Sequence, residues 1–185
     1  MGKAAEGIAA FRGTMSESLD FIFERANSAL ITQDFEYAER LLTNALKKHP
    51  DMLPGDREKV ESLLARVYGD EGNLEQSLAT YLRLYERAPD NIDLMLSLGR
   101  IYRHLDRYED ALKILEKAKN IGGDTDEVLY SFAKTYKRMH DYDKAADYFS
   151  RAIEIKPDHA HAYDRLGNLY VLTGKTDKAI EIYKK

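Results

Sequence analysis

Along residues 126–157, DEVLYSFAKTYKRMHDYDKAADYFSRAIEIKP, apolar side chains return every three or four positions, and the pattern breaks once at His140-Asp141. Leu129, Phe132, Ala133 and Tyr136 fall on one face of a helix, and Ala145, Phe149 and Ala152 on one face of another. The spacing predicts two short amphipathic helices. Small residues alternate with large ones, Ala133 near Tyr136 and Ala145 near Phe149, so the two helices can approach closely while a ring fills the space beside each small side chain. Pro157 ends the second helix. A shift of about 34 residues in either direction finds the same pattern. The period predicts a stack of helix pairs, each leaning on its neighbours, in place of one globular core.

The following unit carries Tyr163, Leu166, Gly167, Tyr170, Ala179 and Tyr183, and the preceding one Met95, Leu98, Gly99, Tyr102, Ala111, Leu115 and Ala118. One period earlier stand Leu64, Ala65, Tyr68, Ser77, Tyr81 and Pro89, and the first unit has Ile22, Ala26, Ala38, Leu42, Ala45 and Pro50. This series resembles the tetratricopeptide repeat (TPR) family. The departures are Gly123 where the family has Pro, Glu61 and Leu84 in place of a large and a small residue, and Arg25 and Ala29 in place of Leu and Tyr. The resemblance covers roughly residues 16–185 and implies an all-α fold, a right-handed α-α superhelix (solenoid) of about five helix-turn-helix repeats. The repeats are expected at about 19–50, 58–91, 92–125, 126–159 and 160–185, the last one truncated.

Residues 1–15, Gly- and Ala-rich with Ile8, Phe11 and Met15 as apolar anchors, read as an N-terminal leader or a loose capping helix. Ser16 or Ser18 can cap the first repeat helix. Residues 51–57 carry about five residues more than one period, and Pro54-Gly55 makes them an insertion loop, a surface excursion or part of a binding edge. Asp124 followed by Glu127 resembles a capping box. The last helix, about Asp177 to Lys185, offers Ala179, Ile180 and Tyr183 with no following helix to cover them. That face suggests a fragment of a longer protein, or a homo-oligomer formed through the C-terminal helix.

Composition narrows the chemistry. With 44% hydrophobic and 32% charged residues, a buried seam and solvated outer faces are both available. The net charge of -4 opposes general attraction to nucleic acid or an anionic membrane. The absence of cysteine excludes disulfides, Cys-based zinc sites and thiol catalysis. No apolar run reaches the length of about 18 residues that spans a bilayer, and residues 1–14 lack both a secretory signal and a myristoylation motif, so a cytoplasmic location is expected. His159 and His161 point in different directions, and no GxGxxG, P-loop, HExxH or GxSxG pattern is present. No cofactor, no metal and no enzymatic activity are expected.

In the TPR family the first helices of successive repeats line a concave groove that contacts an extended or helical ligand. The resemblance places Arg66, Arg100, Lys134 and Asn168 in one row, with Arg103, His104, Lys137, Arg138 and Arg165 near it and Leu96, Ser97, Tyr130 and Ser131 between. A cationic row on an acidic chain points to an acidic segment or a C-terminal carboxylate, held by bidentate arginines. The opposing reading is solvated cations paired with carboxylates such as Asp93 and Glu127. Chaperone-binding TPR domains clamp a carboxylate with Lys, Asn, Asn, Lys and Arg; Leu96, Arg100, Ser131, His161 and Arg165 stand there, so only the last is kept and that clamp is not expected. Tyr68, Tyr102, Tyr136 and Tyr170 recur with the period and read as packing between helices. The expected function is a scaffold or adaptor for an acidic protein or peptide partner. The alternatives are a regulatory or targeting arm of a larger enzyme or complex, and an RNA-binding helical repeat.

Overall fold

The computed structural model describes residues 18–184, and the expected leader at 1–15 and the candidate cap Ser16 lie outside them. Ten helices and no strand occur among the described residues: α1 Leu19–Ile31, α2 Phe35–Lys48, α3 Pro54–Glu71, α4 Leu74–Arg87, α5 Ile92–His104, α6 Tyr108–Gly122, α7 Asp126–Arg138, α8 Tyr142–Ile155, α9 Ala160–Leu172 and α10 Thr176–Tyr183. The chain divides into two compact units, Met1–Thr80 and Tyr81–Lys185. Polar side chains start many of the helices: Ser18, Asp34, Asn91, Thr125, Asp141 and His159 each accept from the amide three residues on. Thr125 therefore takes the place expected of Asp124. The Asp124 carboxylate is drawn instead to Arg151 at 2.6 Å and Lys119 at 3.3 Å.

Each first helix ends in a left-handed residue: Gln33, Gly72, Asp106, His140 and Gly174, with φ of 60°, 101°, 56°, 62° and 71°. After four of them the next amide donates back across the turn, Asp34 to Ala29, Arg107 to Tyr102, Asp141 to Tyr136 and Lys175 to Tyr170, at 2.8–3.0 Å. This closes the helix end and reverses the chain within a few residues. From Gly72 onward the left-handed residues are 34 apart, but Gln33 and Gly72 are separated by 39.

In the first unit α1, α2 and α3 share one core of Ile22, Ala26, Ala38, Leu42, Ala45, Val60, Leu64 and Val67. The surplus residues do not form an insertion loop over 51–57. They lengthen α3 to 18 residues, against 13 in α1, α5, α7 and α9. Pro54 is tolerated at the first helical position, where its missing N–H has no partner to lose and its fixed φ suits the helix. Arg25, standing where the family has Leu, keeps its guanidinium over the Phe21 and Tyr37 rings at 5.4 and 5.2 Å.

In the second unit α5 packs on α6, α7 on α8 and α9 on α10, while α6 meets α7, α8 meets α9, and α5 also touches α7. Small residues set these approaches. A methyl at Gly99 would come within 3.0 Å of Leu115, and one at Gly167 would enter the Tyr183 ring. Tyr183 thus turns back onto its own helix pair although it is 53% exposed, and Ile180 remains 47% exposed. Ala133 and Ala145 are fully buried beside Phe149, and Tyr136 stacks on Tyr148 with ring centroids 5.4 Å apart. Ala145→Leu should overpack this seam and cost about 1–3 kcal/mol in urea unfolding. An equally stable variant would place Ala145 outside it.

Candidate functional site

In the second unit the first helices α5, α7 and α9 repeat at 34 residues, and α5 touches α7. Arg103, His104 and, from α7, Lys134, Lys137 and Arg138 line one cavity of about 670 Å³ with Arg165 from α9. Asp106, Tyr108, His140, Tyr142, Phe149 and Leu172 complete its walls. Arg100 stands close enough to act electrostatically on Arg103, His104 and Lys134.

The cations are neutralised unevenly. Arg138 is held by Asp106 at 2.8 Å, and that carboxyl lies below its ordinary range because it accepts from Tyr108 and then from Arg138. Arg165 approaches its neighbour Asp164 only at 3.8 Å. Lys134 has no carboxylate partner among the described residues and lies over the Tyr130 ring at 5.2 Å. Arg103 is 5% exposed, and its side chain makes no ion pair or hydrogen bond among the described residues. None of its nitrogens is sealed off without a partner, so they reach the cavity. Asp93 and Glu127 pair with none of these cations.

Burial, then the charges of Arg100 and Arg138, push the Arg103 guanidinium down to about 10. Burial, then Arg103, Arg165 and Arg100, push the Lys134 ammonium down to about 8. His104 is lowered by burial and by the same cations, so its imidazole is neutral at neutral pH. The site is a partly desolvated cluster of positive charge in which Asp106 balances Arg138, while Arg103 and Lys134 have no carboxylate partner among the described residues.

Other expected positions behave differently. Arg103 was expected on the groove face with its neighbours, but it continues the core stripe of Met95 and Gly99 at four-residue spacing and is buried. Asn168 is tied to Asp164 by two bonds of 2.8 Å, and Tyr130 packs between Phe149 and His159. Leu96 is half-buried and outside the cavity lining. Arg66 belongs to the first unit, where it faces Asp70 at 3.4 Å. Tyr102, Tyr136 and Tyr170 lie beneath Arg107, Lys144 and Lys178 at 4.8, 5.0 and 5.8 Å, and none lines the basic cavity. Asp106, Tyr108 and Tyr142 were not anticipated in the lining, and His140 was read only as part of a turn, although the pairs Asp106 with His140 and Tyr108 with Tyr142 repeat at the period. Among the described residues no group of three or more His, Asp or Glu could hold a metal, and no helix is long and apolar enough to cross a membrane.

The tetratricopeptide repeat family model matches residues 56–122, 90–158 and 124–185. BBSome complex member BBS4 of Bos taurus is 29% identical over 126 residues, which are 68% of this chain and 24% of that protein. Among solved structures, TTC0263, a thermophilic TPR protein of Thermus thermophilus, superposes with TM-score 0.76 at 20% identity over 90% of this chain and 89% of that one. MamA from Desulfovibrio magneticus RS-1 gives 0.64 at 14% identity over 92% and 93%. These likenesses are to the fold.

Between pH about 8 and 10.5 the unfolded chain keeps a proton on Lys134 that the folded chain has shed, so this residue's penalty falls as pH rises through that window. Lys134→Met should raise stability at pH 7 by about 1 kcal/mol, after discounting for solvent at the cavity mouth, with the gain shrinking by pH about 9.5. Thermal melts of both proteins across that range check this. A gain that is absent or independent of pH contradicts the charge account.

Proposed function

The chain belongs to the tetratricopeptide repeat family, and on that basis we propose that it is a protein-interaction scaffold whose second unit holds an acidic segment of a partner in the basic cavity. The observation that carries this reading is the convergence of Arg103 and Lys134, neither paired with a carboxylate among the described residues, on one hollow of about 670 Å³. A partner carboxylate supplies the counter-charge that the fold withholds, and hydrogen bonds to charged groups in such a desolvated setting are worth about 1.5–3 kcal/mol each. The helices that carry these cations are already packed on one another in the second unit, so little ordering opposes association. The similarity to a complex member supports the scaffold reading, and its restriction to 24% of that protein favours a second one, a module within a larger assembly.

A fluorescently labelled Glu-rich peptide should bind with an affinity that falls as salt rises, and a Lys-rich peptide should not bind. Arg100→Glu combined with Lys134→Glu should weaken capture by about a hundredfold while leaving the helical circular dichroism unchanged. Equal capture by the double variant overturns the proposal.

A further inference from the structure

The cavity asks for more than one negative charge. Donors enter it from three helices, Arg103 from α5, Lys134 from α7 and Arg165 from α9, and Arg103 and Lys134 have no carboxylate partner among the described residues. A carboxylate is planar, carries one charge and offers two oxygens, so it meets one guanidinium fork and leaves the remaining donors unbalanced. A phosphate monoester carries about -1.5 to -2 at neutral pH and presents three acceptor oxygens, which suits donors supplied by three helices. Leu172, which is exposed, and the half-buried Tyr142 ring give the carbon atoms that bear the phosphate an apolar surface.

Resting on the reading of this hollow as the seat of an acidic partner segment, we propose that Arg103, Lys134 and Arg165 form a subsite for a phosphoserine or phosphothreonine side chain. The buried guanidinium of Arg103 is the residue on which this depends. It is more than nine-tenths buried, opens on the hollow, and would contribute a bidentate contact once an anion arrives. A nucleic acid is the less fitting source of phosphate, because a backbone needs a run of contacts, whereas these cations line a single cavity on a chain of net charge -4.

The test uses the full chain and NMR titration with five probes: an alanine pentapeptide with phosphoserine at its centre, the same peptide with glutamate or with serine there, inorganic phosphate, and uridine monophosphate. The phosphoserine peptide should bind about tenfold tighter than the glutamate peptide and perturb amides of α5, α7 and α9, with the serine peptide inert. Arg103→Met, which replaces a desolvated cation by an apolar side chain of similar length and should stay folded by its melting curve, should lose that preference. Lys134→Met should weaken it as well, so a failure of either variant to fold leaves the other decisive. Equal binding of phosphoserine and glutamate peptides, abolished by both variants, overturns the phosphate subsite and leaves the acidic-segment reading standing. No binding by either peptide overturns both. Inorganic phosphate or uridine monophosphate binding tighter than the phosphoserine peptide overturns the phosphopeptide assignment in favour of the free ion or a nucleotide.

Discussion

The structure depends on how closely one helix can approach the next. A helix pair of about 30 residues cannot bury its own apolar stripe, so stability comes from seams where a small residue on one helix admits a large side chain from another. Gly99 admits Leu115, Gly167 admits the Tyr183 ring, and Ala133 with Ala145 makes room beside Phe149. These contacts fix the separation between neighbours. The turns then fix the register, because a left-handed residue and a bond back to Ala29, Tyr102, Tyr136 or Tyr170 end four of the first helices in the same way.

Register has an electrostatic consequence. Once α5, α7 and α9 repeat at a fixed interval, cations from all three line one cavity. Carboxylates elsewhere are used to balance cations, as in Arg151 with Asp124 and Lys175 with Asp143 at 2.6 and 2.9 Å. In the hollow only Arg138 receives such a close partner among the described residues. Burial, and then repulsion among the cations, depress Lys134, Arg103 and His104, at a cost to stability that the apolar seams must offset. A site that destabilises its own fold is a reasonable place to look for function.

Much of the helical framework was legible in the chain, and the reasons are physical. Leu129, Phe132, Ala133 and Tyr136 repeat at helical spacing, and their equivalents recur often enough that a single substitution such as Arg25 or Ala29 cannot hide the period. The long α3 was not legible, because Pro54-Gly55 signals a turn in most settings, and only the helix start that Pro54 occupies makes it compatible with a first turn. The burial of Arg103 was missed for a related reason. A guanidinium reads as surface, although Met95, Gly99 and Arg103 lie on one stripe and the spacing placed all three together. The turns at Asp106 and His140 were legible as breaks in the pattern, but their place in the cavity wall was not, because a short polar turn reads as a connector and neither residue is the glycine or asparagine that usually marks a left-handed position.

Positive charge concentrated in the cavity and only partly compensated there should be visible in the titration of its lysine. The most direct measurement is an NMR titration of the Lys134 ε-methylene in carbon-labelled protein, assigned by comparison with Lys134→Met. Uncompensated charge requires a midpoint near 8, well below the ordinary lysine value of 10.5. A midpoint at or above that ordinary value would mean that an anionic group already balances the site, and would contradict the charge distribution on which the proposed function rests.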